Sequence, residues 1–367
     1  MIIGVPKETK IHEYRVGIVP AGVRMLKAHG HQILIETSAG VGSGITDKTF
    51  EEAGAIIVGS AAEVWKRSEM VMKVKEPIAP EYALMQPKQT VFTYFHLAAV
   101  PELAPVLLEK KITAVAYETI TTPDGSLPLL QPMSVVAGKM ATQVGANLLE
   151  KGRGGKGVLL GGLPGVRRGR VVVLGGGTVG LAAAKIAIGL GAIVTILDIS
   201  IPRLEYLDDI LGSRVNLLHS NPDNIRDEVR RADLLVGAVL VPGARAPSLV
   251  SRKLVSEMEP GSVIVDVAID QGGCIETIHG TTHDAPTYVV DGVLHYGVTN
   301  MPGAVAQSST FGLTNATIKY ALQLADLGAI EACKKDPGLA AGLNTHNGFV
   351  AYKAVADDLK LEYRAAL

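Results

Sequence analysis

Residues 170–198 read RVVVLGGGTVGLAAAKIAIGLGAIVTILD. Val171–Leu174 is a short, unbroken apolar run of the kind that forms a strand buried on both faces. It runs straight into Gly175-Gly176-Gly177-Thr178-Val179-Gly180, which fits Gly-x-Gly-x-x-Gly, and a helical pattern leaves it. With 41 glycines in 367 residues, chance placement gives roughly 0.5 such matches per chain, so the spacing alone is weak. A second copy, Gly152, Gly154 and Gly157, follows the helix-like ANLLEK at 146–151 and has no strand before it, so it is rejected. The copy at Gly175 has the required strand and helix. Glycine there permits a tight turn and close approach of backbone to a pyrophosphate, and the helix N-terminus offers free N–H groups to the phosphates. Asp198 ends the next strand, about 20 residues on, where a carboxylate can accept both ribose hydroxyls. Ile199 follows it rather than a basic residue, which favours NAD over NADP. Arg203 leaves two readings open: contact with a 2′-phosphate, or a position along the adenosine. A βαβ unit that binds no nucleotide is the bland alternative.

Outward from this core, composition sets bounds. The chain is 47% hydrophobic and 19% charged, enough apolar residue for a sizeable core. Its length favours two domains, or three. Thirty-five basic residues stand against 36 acidic ones, for a net charge of −1, so nothing points to nucleic acid or an anionic membrane. Small-molecule substrates are the expectation. Cys274 and Cys333 alone make no disulfide framework, which fits a reducing cytoplasm. Lys7, Glu8, Lys10 and Glu13 interrupt the N-terminus, which lacks a signal-peptide apolar region. The apolar stretch 181–197 contains Lys185, Gly189 and Gly191 and falls short of a membrane span; a buried helix–turn–strand explains it better.

Before the glycine motif, strand-like IIGVP, HQILIET, AIIV, MVMKVK, TVFTYF and KITAVAY alternate with helix-like pieces such as Pro20–His29 and Asp47–Ala53. Such alternation predicts a parallel sheet covered on both faces. A long helical pattern covers 127–150, and VLLGGLPGV at 158–166 reads either as part of a flexible linker or as a hairpin about Gly161-Gly162. A second βα series runs from Arg170 to near Asn300. From about Ser308 the chain reads as purely helical and is expected to return to the first domain. The fold class is therefore α/β: two Rossmann-like domains with parallel sheets, residues 129–307 for NAD inserted in a discontinuous substrate domain of 1–128 and 308–367.

Several ionisable residues stand at predicted strand ends, where open α/β sheets gather ligands. Lys73 and Lys75 share one face of MVMKVK, and Lys75 is nearer the end; a snorkelling strand lysine is the plain alternative. His96 ends TVFTYF, and a structural histidine is the plain alternative there. Arg15 suits either a surface charge or a bidentate carboxylate clamp. In SVIVDVAID, Asp266 and Asp270 share parity and Asp270 is read at the strand end, as a site carboxylate or as a turn former. The nine histidines are scattered, with no His-Glu-x-x-His and no Cys-x-x-Cys, so no metal is expected.

Together these residues resemble the bacterial alanine dehydrogenase family, which is related to the nucleotide-binding subunit of proton-translocating transhydrogenase. The resemblance is nearly full length: GVPKE at 4–8, RVGIVP at 15–20, MKVKEP at 72–77, YFHLA at 94–98, QPMSVVAGKMA at 131–141, LLGGLPGV at 159–166, VVVLGGGTVG at 171–180, VDVAIDQGG at 265–273 and HYGVTNMPGAV at 295–305. Order and spacing, rather than any one block, make it specific; only Gly152–Gly157 is unusually glycine-rich. The resemblance implies that Arg15 and Lys75 hold a substrate carboxylate, that Lys75 also contacts the reacting group, and that His96 exchanges protons with the keto or carbinolamine oxygen. Asp270 would act on water or ammonia, with Tyr94, Met133 and Asn300 lining the pocket. NAD would be contacted by Ser134, Gly175, Gly177, Thr178, Val179, Gly180, Asp198, Arg203, Ser220, Val239, Leu240, Val267, Asp270, Val298 and Met301. A homohexamer is also implied. The activity implied is reversible NAD-dependent oxidative deamination of L-alanine to pyruvate and ammonia. A transhydrogenase component would need no lysine–histidine pair and would depend on a membrane partner. A saccharopine dehydrogenase-like enzyme would need a longer, charge-lined pocket. A regulatory NAD-binding module would show no turnover.

Overall fold

A computed structural model describes residues 1–239 and 246–366. The chain divides into two compact units, one of Met1–Met133 with Gly303–Leu367 and one of Ser134–Pro302.

In the first unit, β1 (Ile2–Val5), β2 (Gln32–Glu36), β3 (Ile56–Val58), β4 (Met70–Met72), β5 (Thr90–Thr93) and β6 (Thr113–Ala116) pair in parallel. Their cores lack polar–apolar alternation because helices cover both faces: Met70, Val71, Val91 and Ala114 are all fully buried. In the second unit, β7 (Arg170–Leu174), β8 (Ile193–Asp198), β9 (Val215–His219), β10 (Leu234–Gly237), β11 (Val263–Asp266), β12 (Thr287–Val290) and β13 (Val293–Tyr296) form a sheet ordered β12-β13-β11-β10-β7-β8-β9. From β9 to β13 this is the 3-2-1-4-5-6 order of a dinucleotide-binding sheet, with the reversal beside β7. The stretch 181–197 is the helix–turn–strand expected, and no helix among the described residues is long and apolar enough to cross a membrane.

The returning segment is not purely helical. After the helix Ala306–Leu327 it forms β14 (Leu343–His346) and β15 (Phe349–Val350), giving the first sheet the order β15-β14-β6-β5-β4-β1-β2-β3. Both added strands are antiparallel. The sequence carries the signal: Asn347-Gly348 links the paired His346 and Phe349, and both turn residues have positive φ, 45° and 89°, as a two-residue hairpin loop requires. Asp291-Gly292 does the same between β12 and β13. In 158–166 the chain turns twice, with Gly162 N–H donating to Leu159 O at 3.0 Å and, about Pro164-Gly165, Val166 N–H donating to Leu163 O at 2.8 Å, and a single bridge stands in place of a hairpin. The long helix spans Gln131–Leu148, starting later than Leu127.

Candidate active site

The order β6-β5-β4-β1 sets four carboxyl ends side by side, and the segments leaving them carry the candidate substrate residues. Three strands end sooner than the hydrophobic pattern suggested. β4 stops at Met72, so Lys75 lies three residues beyond it; β5 stops at Thr93, so His96 lies three residues beyond that. The side chains past Met72 are claimed by ion pairs rather than by the pleat. Lys73 is buried between Glu8 (3.3 Å) and Glu81 (2.8 Å), and Glu8 also accepts the Val74 N–H at 2.6 Å. Lys73 and Lys75 therefore do not share a strand face: the first is sealed in the interior and the second is only half-buried. In the second unit β11 stops at Asp266, and Asp270 belongs to the 3-10 turn Val267–Gln271, so its parity with Asp266 has no meaning. Asp266 is buried and accepts the amides of Ala268 (2.9 Å) and Cys274 (2.7 Å), which makes it a structural carboxylate. The Asp270 side chain, and Leu240, lie outside what the structure describes.

Arg15, in the segment after β1, is buried and clamped by Glu13 through Nε (2.6 Å) and Nη2 (2.5 Å). Burial opposes its charge, but the hydrogen-bonded carboxylate outweighs burial and holds the guanidinium above its ordinary pKa. Its Nη1 donates to Met133 Sδ at 3.1 Å, bringing Met133 to the same place. Burial, and then the Arg15 cation, push the Lys75 ammonium below its ordinary pKa. The Lys75 carbonyl accepts from Thr93 Oγ1 at 3.0 Å, tying it to the end of β5. Tyr94 is buried, its phenol pushed up by burial, so it stays protonated and donates to Leu129 O at 2.6 Å. The His96 ring lies parallel to that of Tyr94, 5.7 Å away, and is exposed on a backbone with φ 46°. Arg15, Lys75, Tyr94, His96 and Met133 thus converge: two cations, a neutral phenol and an exposed imidazole. Of the residues that brace them, Glu8 lay in the GVPKE block and Lys73 in MKVKEP, while Glu13 and Glu118 carried no periodic signal.

In the second unit the glycine motif behaves as its spacing requires. Gly175 has φ 97°, and a Cβ on Gly180 would come 1.8 Å from Gly175 O. Gly177 is the N-cap of the helix Thr178–Gly189, with no side-chain cap, and a Cβ there would meet nothing within 4 Å. A helix N-terminus without a side-chain cap, and room beside Gly177, fit a pyrophosphate. Asp198 ends β8; its oxygens accept the amides of Gly176 (2.7 Å) and Ser200 (2.8 Å), and each oxygen retains a lone pair for a ribose hydroxyl. Arg203 Nε donates to Gly176 O at 2.7 Å, and its guanidinium lies 4.8 Å over the Tyr206 ring. Ser220 N–H donates to Asp198 O at 2.9 Å, and Val239 Cα would lie 3.2 Å from a Cβ on Gly175. Gly175, Gly177, Thr178, Val179, Gly180, Asp198, Arg203, Ser220 and Val239 therefore gather at the carboxyl ends of β10, β7, β8 and β9. Val267 opens the turn after β11. Val298 and Met301 are buried, Ser134 is half-buried, and Asn300 has φ 61° with its carbonyl 3.3 Å from His283 Nε2.

Comparison with known proteins accounts for both units. Residues 4–137 match the family "Alanine dehydrogenase/PNT, N-terminal domain", and 141–353 match "Alanine dehydrogenase/PNT, C-terminal domain". An alanine dehydrogenase of Bacillus subtilis (strain 168) is 57% identical over 99% of this chain and 96% of its own. A solved structure titled L-alanine dehydrogenase superposes with a TM-score of 0.96 at 54% identity, covering 98% of this chain and 99% of that one. A transhydrogenase from Sinorhizobium meliloti superposes at 0.83 with 26% identity, covering 96% of this chain and 100% of its own. With both domains matched and relatives above half identity along almost the whole length, the chain belongs to the alanine dehydrogenase/PNT family.

Proposed function

We propose that this protein is an NAD-dependent alanine dehydrogenase, converting L-alanine reversibly to pyruvate and ammonia. The observation that carries the reading is the pairing of a buried, carboxylate-braced Arg15 and a half-buried Lys75 with an exposed His96 at adjacent strand ends. The relatives' names support it, and their higher identity favours it over a transhydrogenase component. The unit of Ser134–Pro302 holds the dinucleotide on this reading, and the discontinuous unit holds the substrate. The assembly is a homohexamer of the cytoplasm, in keeping with two buried free thiols.

Bound at Gly175–Gly180 and Asp198, the dinucleotide supplies the acceptor for the hydride that leaves Cα of alanine. Arg15 and Lys75 hold the substrate carboxylate, fixing Cα and lowering the entropic barrier. Glu13 keeps the guanidinium in one orientation. His96 carries the proton on and off the carbinolamine oxygen, a task suited to an imidazole. Asp270 acts on the water that adds and the ammonia that leaves. Tyr94 and Met133 line the substrate side, and the resemblance assigns Asn300 to the substrate as well. Ser134, Leu240, Val267, Val298 and Met301 complete the dinucleotide contacts.

The test is absorbance at the NADH band with a panel of small amino acids. Reduction of NAD with L-alanine, exceeding that with glycine or 2-aminobutyrate, is expected. No turnover with alanine, together with exchange between two dinucleotides, would establish the transhydrogenase reading instead.

Cofactor choice rests on Asp198. Asp198→Gly removes charged hydrogen bonds to the ribose, each worth roughly 1.5–3 kcal/mol, so NAD binding weakens about 10- to 150-fold for each bond lost while use of NADP rises. Titration of both reduced cofactors by fluorescence checks this; a wild-type protein that prefers NADP sinks the assignment.

Lys75 sets an alkaline limit. Because its charged form is disfavoured by burial and by Arg15, it loses its proton below the ordinary lysine value of 10.5. With free ammonia held constant, the KM for pyruvate should rise on the alkaline side, beginning below that value. Lys75→Arg should abolish the rise, since arginine stays protonated. Identical profiles for the two proteins would remove Lys75 from carboxylate binding.

A further inference from the structure

His96 is one of few non-glycine residues with positive φ (46°) among those described. Such a backbone is unfavourable for an ordinary side chain and persists only where its surroundings over-determine it. The surroundings here are specific. Glu118, the second residue past β6, lies in the 3-10 turn Tyr117–Thr119 and reaches across to the segment past β5. Its Oε1 accepts the His96 N–H at 2.6 Å and the Phe95 N–H at 3.2 Å, and its Oε2 also lies 3.2 Å from the Phe95 nitrogen. Two successive amides thus point at one carboxylate, which fixes the Phe95–His96 peptide plane from which the His96 Cα departs. Beyond that peptide the imidazole is exposed and stacked on Tyr94, whose own hydroxyl is tied to Leu129 O.

We propose that Glu118 is a positioning residue for the reaction: by accepting the amides of Phe95 and His96 it anchors the peptide plane that places the His96 Cα and so presents its imidazole to the substrate. The inference rests on the proposed alanine dehydrogenase activity, and it acts on kcat through His96 rather than on substrate or dinucleotide binding. What matters is the reach of an acceptor oxygen to the His96 amide, since one oxygen already serves both N–H groups. A misplacement of about 1 Å in a reacting group costs on the order of 10²-fold in rate.

The experiment is steady-state turnover of pyruvate, ammonium and NADH by the full chain. Absence of turnover in the wild type overturns the proposed function itself, before any variant is made. Given activity, Glu118→Ala should lose about 10²-fold in kcat, with the KM for pyruvate and the Kd for NADH within about threefold of wild type. Glu118→Gln, which keeps an acceptor at the same reach without the charge, should return to within about fivefold. Glu118→Asp, which keeps the charge and loses the reach, should resemble Glu118→Ala. The Gln and Asp variants decide the matter if Glu118→Ala does not fold. Finally, His96→Ala/Glu118→Ala should turn over no more slowly than His96→Ala, because Glu118 has nothing left to position. The proposal is overturned by wild-type kcat in Glu118→Asp, by a Gln variant worse than the Asp variant, or by a double mutant that multiplies the single losses.

Discussion

His96→Ala is expected to lose about 10²–10⁴ of kcat, the usual worth of a general acid–base group, while still binding NADH. The two halves of this expectation come from different features. His96 is exposed in the segment past β5, which neighbours β4 and then β1, the strands whose outgoing segments carry Lys75 and Arg15. No dinucleotide contact in Gly175–Gly180 or Asp198 depends on it, so NADH fluorescence should titrate as in wild type. Asp270→Asn should likewise lose kcat, since an amide cannot take up a proton as a carboxylate does. The two together should cost less than the product of the single losses, since they serve one sequence of proton transfers. Parallel measurement of NADH binding and of turnover with pyruvate plus ammonium checks all three proteins. Near-normal turnover in either single variant, with NADH bound, would leave the dinucleotide fold standing and remove the acid–base assignment.

Lys73→Ala is expected to damage the fold rather than the chemistry. Its ammonium sits between Glu8 and Glu81 in the interior of the first unit. Removing one partner of a buried pair leaves charge without compensation and costs about 3–5 kcal/mol, a large share of a typical stability of about 5–15 kcal/mol. For a unit of this size that is a fall in Tm of roughly 6–20 °C. Glu8 already has its pKa raised by burial, against the pull of Lys73; without Lys73 it rises further. A folded-state carboxyl pKa above the unfolded one means stability that is present at low pH and lost as pH climbs through the folded value. The deficit of Lys73→Ala should therefore be full at neutral pH and shrink as pH falls towards the ordinary glutamate value of 4.5. Thermal unfolding at two pH values tests it. An unchanged Tm would mean that the three groups contribute nothing as a set. Loss of activity in Lys73→Ala is thus expected to accompany unfolding, whereas Lys75 variants keep their fold.

Much of the architecture is local and was therefore legible in the chain. The run Val171–Leu174, the three glycines and Asp198 specify a strand, a tight turn, a helix N-terminus and a carboxylate within 29 consecutive residues, and each requirement is met by neighbours in sequence. The βα alternation on either side is equally local. The hairpins at Asn347-Gly348 and Asp291-Gly292 carry local turn signals too, but each lies inside a longer helical or βα pattern that masks it. Strand ends were a different matter. Apolar alternation carries MVMKVK to Lys75, but the pleat stops at Met72 because Lys73 finds two carboxylates, Glu8 and Glu81, remote in sequence or on another element. The same holds for the candidate site. Residue type and position marked Arg15, Lys75 and His96 as suspects, each with an ordinary structural alternative. Only the strand order β6-β5-β4-β1 sets their three segments side by side, and only packing decides that Lys73 is sealed while Lys75 is not. Glu118 illustrates the limit: nothing in AVAYETI distinguishes it, yet its carboxylate holds two amides 22 and 23 residues away. Periodicity and turn chemistry act over a few residues, so the sequence determines them directly. Burial, ion pairing and the conformation of His96 depend on groups that only the closed sheet brings within reach, and these the tertiary structure alone decided.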